Sequence, residues 1–232
     1  VEAQDRILRR VACSSTAKFF RRLHEKNGVK IIQEKAIARL VGTNGNFVGA
    51  ILDDGMKIFA DFCVIGIGIK PCIQLAESCG LETDNGILVD SMCQTSDKNI
   101  LAAGDCTNFP YGSKRLRLES VGNAVEQGEA AALSALGFKE TYRAKPWFWS
   151  DQYDTKLQIA GLSSGYDKVV ERKEEHSLSL WYFENEKLIA VDAVNDARAY
   201  MVAKKLIELN KSPNECQILD LELDLKSLLK SN

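Results

Sequence analysis

Residues 100–105 read Ile-Leu-Ala-Ala-Gly-Asp, so a glycine and a carboxylate follow a short apolar run. The run 100–103 predicts a buried parallel strand, and parallel sheets bind their ligands beyond the carboxyl ends of the strands. Gly104 has no side chain and would let a bound molecule approach the backbone. The Asp105 carboxylate can accept hydrogen bonds from ligand hydroxyls. This pattern favours a polyol ligand such as a ribityl chain.

A helix is predicted at residues 119–136, where apolar residues recur at a spacing near 3.6 after Ser120 and Val121. The first turn of a helix carries unpaired N–H groups and a positive potential. Such a helix start would stabilise negative charge that develops on a ring system beside it. A reduced flavin is a ring system of this kind.

Five segments, taken together and in this order, resemble one protein family. They are 66–71 (Gly-Ile-Gly-Ile-Lys-Pro), 95–97 (Thr-Ser-Asp), 100–105, 117–121 (Arg-Leu-Glu-Ser-Val) and 146–153 (Pro-Trp-Phe-Trp-Ser-Asp-Gln-Tyr). The family is the FAD-dependent, NADH-linked ferredoxin reductases of bacterial oxygenase systems. Each motif alone is weakly specific, but the five in register extend the resemblance over essentially the whole chain.

The resemblance implies FAD contacts at six residues, namely Gly104, Asp105, Glu119, Ser120, Val121 and Trp149. Asp105 would hold the ribityl or pyrophosphate region, and the Val121 backbone would hold the pyrimidine edge. Glu119 would brace the turn before the helix, and Trp149 would lie beside the isoalloxazine ring. Judged without the family, Asp105 and Glu119 can instead be capping carboxylates, and Trp149 can belong to a domain-junction core.

The resemblance also implies an NADH site, where Gly66 and Gly68 would let the dinucleotide lie close to the backbone. Taken alone, this Gly-x-Gly-x-x-Pro pattern is also that of a plain strand-end turn. Cys72 stands where these reductases usually carry Asn after the Pro. In the intact protein, NADH would give a hydride to FAD, and electrons would then pass singly to a [2Fe–2S] ferredoxin. The basic loop 114–117 is either solvated or faces an acidic ferredoxin surface.

The order of elements predicts an α/β region followed by an α+β domain. Strands are predicted at 29–32, 36–41, 47–52, 56–59, 61–66, 86–90, 100–103, 157–160, 168–171, 177–183 and 187–192. Helices are predicted at 17–26, 74–80, 119–136 and 197–209, with 218–229 as a charged tail. By resemblance, this is the second half of a FAD/NAD(P)-binding reductase with two dinucleotide-binding domains. Residues 1–70 would complete the NADH-binding domain, 71–142 the FAD-binding domain, and 143–232 would form a C-terminal α+β dimerisation-type domain.

Composition argues against several other classes of protein. The 232 residues carry a net charge of −2 with both signs interspersed, which favours neither nucleic acid nor a membrane surface as partner. No apolar run long enough for a membrane span and no signal-peptide layout is present in the sequence, so a cytoplasmic location is expected. The seven cysteines include no Cys-x-x-Cys pair, and only two histidines are present. A disulfide scaffold, a redox dithiol and a metal site are therefore not expected.

The sequence contains no Gly-x-Gly-x-x-Gly loop, the motif that cradles the phosphates of FAD and NADH. The resemblance therefore implies a C-terminal portion that binds FAD weakly, binds NADH hardly at all and has no reductase activity alone. Its truncated sheets would expose apolar faces.

Two alternatives stay open. One is another flavoprotein, such as an NADH oxidase, a monodehydroascorbate-type reductase or an apoptosis-inducing-factor-like protein. The other is a non-catalytic dimerisation or interaction module; a homodimer is possible under each interpretation.

Overall fold

The computed structural model describes residues 1–230 and divides them into two compact units, Val1–Gly68 and the residues from Ile69 onward. The first unit contains α1 (Ser14–Lys26), β1 (Ile37–Thr43), β2 (Asn46–Leu52) and β3 (Lys57–Phe59). The second contains α2 (Gln74–Ser78), β4 (Ile87–Leu88), β5 (Thr107–Tyr111), β6 (Lys114–Leu116), α3 (Val121–Ala135), β7 (Trp147–Gln152), β8 (Thr155–Gly161), β9 (Lys168–Lys173), β10 (Leu178–Glu184), β11 (Lys187–Val194), α4 (Ala197–Glu208), α5 (Glu215–Leu219) and a 3-10 helix (Leu225–Leu229). The predicted mixture of α/β and α+β structure is confirmed.

The first unit is built around an antiparallel meander in the order β1-β2-β3, whose strands correspond to those predicted at 36–41, 47–52 and 56–59. Asn44 and Gly45 connect β1 to β2 with positive φ angles of 54° and 81°, which suits a tight hairpin turn. Helix α1 begins three residues before its predicted start, and Cys13 at its N-cap makes no capping hydrogen bond. Phe20 is the fully buried anchor of its apolar face.

Two predicted strands of the first unit are wrong. Residues 29–32 and 61–66 form no regular strand, and the second segment is strongly exposed, at 77% for Phe62 and 84% for Val64. A strand requires neighbouring strands that accept and donate its backbone hydrogen bonds. No strand of the described Val1–Gly68 unit pairs with 61–66. The segment is thus apolar enough for a sheet interior but lacks a partner.

The first part of the second unit combines a small mixed sheet with α3. Strand β4 pairs in parallel with β5, and β5 pairs antiparallel with β6. The predicted basic loop is therefore wrong, because its residues form a hairpin around Gly112, whose φ is 59°. The predicted strand 100–103 is also wrong: Leu101 makes a single antiparallel bridge to Gln94. The two predicted helices of this region are confirmed as α2 and α3.

The rest of the second unit is a five-stranded antiparallel sheet in the order β7-β8-β11-β10-β9. Strand β7 was not expected as a strand, because its aromatic run lacks the usual alternation of apolar and polar residues. Helix α4 packs on one face of the sheet, where Trp181, Val191 and Leu206 form part of the core. Residues from 147 to 208 are therefore organised by one apolar layer between sheet and helix.

The predicted charged tail at 218–229 is wrong. Its residues fold into α5 and the 3-10 helix, and Ile218, Leu225 and Leu228 are buried in the same core as α4. Buried Arg172 fixes this segment, because its Nη1 donates to the backbone oxygens of Ile218 at 2.9 Å and Asp220 at 2.6 Å. Because the segment contains many charged residues, its three widely spaced core positions formed no recognisable apolar pattern in the sequence.

The packing of this segment leads to a first prediction. Replacing Ile218 by Ala should lower the free energy of unfolding by about 2–4 kcal/mol, because the substitution leaves a cavity in the core. The matched control is Leu219→Ala on the same helix, whose side chain is half exposed; it should change stability by about 0.5 kcal/mol or less. Urea unfolding followed by circular dichroism measures both. Equal effects of the two substitutions would contradict the assignment of 215–229 to the core.

Candidate functional site

A cavity of about 610 Å³ in the second unit is formed where the loop after residue 103, the first turn of α3 and strand β7 meet. Its lining residues are Asp105, Glu119, Ser120, Val121, Ala124, Phe148, Trp149, Ser150 and Asp151. Five of the eight residues singled out from the sequence thus line one cavity, which we call the flavin-side pocket. Gly104 directly precedes Asp105 and belongs to the same loop.

Helix α3 presents its N-terminus to the flavin-side pocket. The Ser120 hydroxyl accepts a hydrogen bond from the Asn123 N–H at 3.2 Å, which is the usual N-cap arrangement. The N–H groups of Val121 and Gly122 lie in the first turn and have no acceptor within the helix. They leave positive potential at a site lined by Val121, whose side chain is 62% exposed.

The buried face of α3 is polar, which the sequence analysis missed. The expected apolar face is largely exposed, whereas Asn123 and Gln127 are buried. Gln127 Oε1 accepts hydrogen bonds from the Gly104 N–H at 2.8 Å and the Thr107 hydroxyl at 2.9 Å. These bonds hold the loop that carries Asp105 against the helix. The available signal was the i, i+4 spacing of two amides within an otherwise small and apolar helix.

The carboxylates at the pocket differ in their partners. Glu119 forms an ion pair with Arg117 at 2.5 Å, and Arg117 also donates to the backbone oxygen of Asp105 at 3.3 Å. Within residues 1–230, no hydrogen bond or ion pair involves the side chain of Asp105, which is exposed. Asp105 therefore caps no turn in this structure, and its oxygens are free to accept hydrogen bonds from a ligand.

The aromatic wall of the flavin-side pocket comes from β7. Trp149 is 41% exposed and stacks on Trp147, with ring centroids 5.4 Å apart and an interplanar angle of 22°. Trp147 in turn lies against Gly122 of α3, where an added Cβ would be only 2.4 Å from Trp147 Nε1. The close approach of strand and helix thus requires a residue without a side chain at position 122.

The two glycines of the implied NADH site lie in the first unit. Gly68 has φ of +93°, a conformation that side-chain-bearing residues rarely adopt, and a Cβ there would lie 3.6 Å from Arg10 Nη1. A Cβ at Gly66 would meet nothing within 4 Å. Gly68 is therefore explained by its backbone conformation, and the dinucleotide contact of both glycines stays a prediction. Cys72, the departure from the family pattern, is exposed.

Two acidic side chains beside α3, the buried Cys93 thiol and the half-buried Tyr142 hydroxyl, stay protonated at neutral pH. Burial raises the pKa of the Cys93 thiol to about 11, and the nearby Asp90 carboxylate adds to the effect. Burial also raises the pKa of Tyr142, with smaller contributions from Glu126 and Cys93. The Tyr142 hydroxyl donates to Asn123 Oδ1 at 2.8 Å. In the part of the chain that the structure covers, no group of three or more potential metal ligands occurs.

The chain belongs to the pyridine nucleotide-disulphide oxidoreductase family, because residues 1–128, more than half of its length, match that family. Residues 147–229 match a second family, described as reductase C-terminal. The two matches follow each other along the chain in the order that the sequence analysis expects. Among residues 1–230, none of the helices has the length and hydropathy of a membrane span.

Curated relatives are ferredoxin reductases, as the resemblance predicts. Rhodocoxin reductase of Rhodococcus erythropolis is 39% identical over 230 residues, which cover 97% of this chain and 54% of the relative. Putidaredoxin reductase of Pseudomonas putida is 36% identical over 231 residues, again 97% of this chain and 54% of the relative. The chain thus spans about half the length of the curated relatives it matches.

Solved structures agree with these relatives. A ferredoxin reductase from Rhodopseudomonas palustris superposes with a TM-score of 0.94 at 35% identity, covering 97% of this chain and 57% of that one. The covalent putidaredoxin reductase–putidaredoxin complex gives a TM-score of 0.93 at 32% identity, covering 99% of this chain and 56% of that one. The predicted fold, the second half of such a reductase, is confirmed.

The contact between β7 and α3 leads to a second prediction. Gly122→Ala should displace Trp147 and lower the free energy of unfolding by about 1–3 kcal/mol, because the new methyl group overlaps the indole ring. Gly128→Ala on the same helix is the control, since a Cβ there would have no neighbour within 4 Å. It should leave stability unchanged or raise it by about 1 kcal/mol. Thermal unfolding and tryptophan emission measure the pair, and an undisturbed emission spectrum in Gly122→Ala would refute the contact.

The cysteines allow a third prediction. With the folded protein at pH 8, a maleimide should label the exposed Cys63, Cys72, Cys79 and Cys216, while Cys93 stays unlabelled. Burial blocks access to Cys93, and its raised pKa keeps the thiolate, the reactive form, scarce. Peptide mass mapping before and after unfolding in urea gives the answer. Labelling of Cys93 at the same rate as Cys216 would rule out this burial.

Proposed function

We propose that this chain carries the flavin-facing and C-terminal parts of an FAD-dependent, NADH-linked ferredoxin reductase. The whole protein would pass electrons from NADH through FAD to a [2Fe–2S] ferredoxin of an oxygenase system. The observation that carries the proposal is the flavin-side pocket, where a free carboxylate, the start of α3 and a partly exposed tryptophan converge. The names of the relatives supply the class of reaction.

The residues of the flavin-side pocket fit the ring and ribityl parts of FAD. Its volume, about 610 Å³, lies within the usual range for small-molecule sites. Val121, Phe148 and Trp149 give it an apolar and aromatic lining, while the start of α3 offers hydrogen-bond donors and Asp105 an acceptor. This combination suits a planar ring with one polar edge and a chain of hydroxyl groups.

We assign a role to each group at the pocket. The Asp105 carboxylate would accept hydrogen bonds from ribityl hydroxyls, and the backbone N–H groups at the start of α3 would bind the polar pyrimidine edge. Glu119, paired with Arg117, would keep the turn before Ser120 in place. Trp149 would cover one side of the ring and exclude water. FAD, when bound, supplies the exchange between two-electron hydride chemistry and one-electron transfer.

NADH and the ferredoxin complete the proposal. The family match over residues 1–128 supports a nicotinamide dinucleotide as donor, for which Gly66 and Gly68 are the candidate contacts. The superposition on a reductase in covalent complex with putidaredoxin supports an iron–sulfur protein as acceptor. We divide the roles at residues 70 and 142, with NADH-side, FAD-side and C-terminal parts in that order. A homodimer is a separate hypothesis, which light scattering on the purified chain answers.

The chain by itself should be a poor catalyst. It contains no Gly-x-Gly-x-x-Gly loop, so the phosphate groups of both dinucleotides lack their usual backbone cradle. NADH-driven reduction of a ferredoxin by the purified chain should therefore be absent. Intact mass and absorbance between about 350 and 500 nm on one sample show whether the preparation is this chain alone and whether it retains flavin.

This reasoning gives a fourth prediction, which concerns flavin binding by the purified chain. At the flavin-side pocket, riboflavin and FAD should bind with dissociation constants within about threefold of each other, because only the ring and ribityl end is held there. Trp149→Ala should weaken both by about three- to tenfold through loss of ring contact. Asp105→Asn should weaken both as well, whereas the exposed Asp61→Asn is a control without effect. Quenching of flavin fluorescence measures each dissociation constant.

The outcome separates the alternatives. Binding of FAD far tighter than riboflavin that is lost in Asp105→Asn and Trp149→Ala would contradict the proposal, because it would require a phosphate or adenine site adjoining the flavin-side pocket. Absence of any saturable flavin binding would favour the non-catalytic interaction module. Flavin binding with no dependence on Asp105 or Trp149 would move the flavin to another site.

A further inference from the structure

We propose that a second cavity of this chain binds a small nucleotide-type anion, whose phosphates contact lysines and whose ring lies on an apolar floor. The cavity has a volume of about 790 Å³ and lies among the β5–β6 hairpin, strands β8 and β11, and helix α4. It shares no lining residue with the flavin-side pocket. We call it the basic cleft.

The basic cleft has an excess of positive charge. Its basic lining residues are Lys114, Arg115, Lys145, Lys187 and Lys204, and its acidic ones are Glu184 and Glu208. Glu208 is already paired, because Lys205 lies 3.2 Å from its carboxylate. The cleft thus has five basic and two acidic lining residues, and one of the acidic residues is already paired. The remaining positive charge attracts anions.

Three of the lysines have side chains without a partner among the described residues. In the described residues, Lys114, Lys145 and Lys187 are exposed, and their side chains take part in no ion pair or hydrogen bond. Arg115 differs, because its Nη2 donates to the backbone oxygens of Val89 and Asn108 and thereby supports the hairpin. A lysine ammonium is a compact charge with three donors, well suited to phosphate oxygens. The three free ammonium groups thus define the phosphate end of the site.

The floor of the cleft is apolar. Leu162, Ile189 and Ile207 line it and are half-buried, and Leu188 and Pro146 also line it and are buried. Small-molecule sites usually combine such a floor with a few polar groups that fix the orientation of the ligand. Free phosphate or pyrophosphate would leave this floor uncovered. An anion with a planar, weakly polar ring covers it, which favours a nucleotide over a purely inorganic anion.

Lys204 connects the basic cleft to the tryptophan stack. Its Nζ lies 5.0 Å from the ring centroid of Trp147 and 6.0 Å from that of Tyr200, so the charge is held over aromatic faces. Trp147 stacks on Trp149, which lines the flavin-side pocket. An anion that attracts Lys204 changes the charge over Trp147. Occupancy of the cleft is therefore reported by tryptophan emission.

The test titrates the purified chain with ADP in the absence of divalent metal, followed by tryptophan emission and by calorimetry. ADP should bind saturably, more tightly than pyrophosphate and more tightly than adenosine, and binding should weaken as salt is added. Removing two phosphate contacts in Lys114→Ala/Lys187→Ala should weaken ADP binding by about tenfold per lysine. The emission change should disappear with the loss of binding.

The matched control is Lys26→Ala/Lys30→Ala, which removes the same charge from two exposed lysines that do not line the cleft. It should leave ADP binding unchanged. Equal weakening in both double variants, adenosine binding as tightly as ADP, or no saturable ADP binding would overturn the proposal. Binding of an acidic ferredoxin that depends on Lys114 and Lys187 while ADP does not bind would also overturn it. Riboflavin binding is unaffected by these variants, so failure here is distinguishable from failure of the proposed function.

Discussion

The close contact between Trp147 and Gly122 is the interaction on which the flavin-side pocket depends. Strand β7 can approach the start of α3 only because residue 122 has no side chain. That approach sets the position of the Trp147–Trp149 stack, and with it the aromatic wall of the pocket. The packing of one indole ring, that of Trp147, therefore sets how the helix start and the aromatic wall lie relative to each other.

Polar contacts hold the loop that carries Asp105 against α3. Asn123 and Gln127 face the interior and bind the Leu118 oxygen, the Tyr142 hydroxyl, the Gly104 N–H and the Thr107 hydroxyl. Gln127 Nε2 is buried without a hydrogen-bond partner in the described part of the chain, an arrangement that costs about 1–3 kcal/mol. The buried Nε2 group is thus unfavourable, but Oε1 of the same Gln127 side chain holds the loop that carries Asp105. Positioning of that loop is a sufficient physical reason for a buried amide here.

Elements that are stabilised locally were predictable from the sequence. The meander follows from its strand patterns and from the turn residues at 44–45 (Asn-Gly) and 53–55 (Asp-Asp-Gly), and α3 follows from its period and from Ser120. The structures of segments 61–66 and 100–103 were not predictable. A short apolar run shows that a segment suits the interior of a sheet, but it does not show that neighbouring strands are available to pair with it. The prediction of a charged tail at 218–229 failed for a different reason. The segment is held by tertiary contacts with the core, and only Ile218, Leu225 and Leu228 make them, so the sequence showed no apolar pattern there.

The candidate site shows the same division. Asp105, Val121 and Trp149 could be predicted as site residues because they belong to motifs that occur in register along the chain. Gln127 could not be predicted, because it acts indirectly by holding the backbone of the loop that carries Asp105. Under the proposed function, the residues at the pocket would orient a ring and set the electrostatic potential around it. The phosphate-binding loops that anchor dinucleotides are a separate sequence feature. Affinity and orientation are therefore carried by different parts of such an enzyme. Under the proposed function, this chain carries the residues that would orient the ring and set the charge around it.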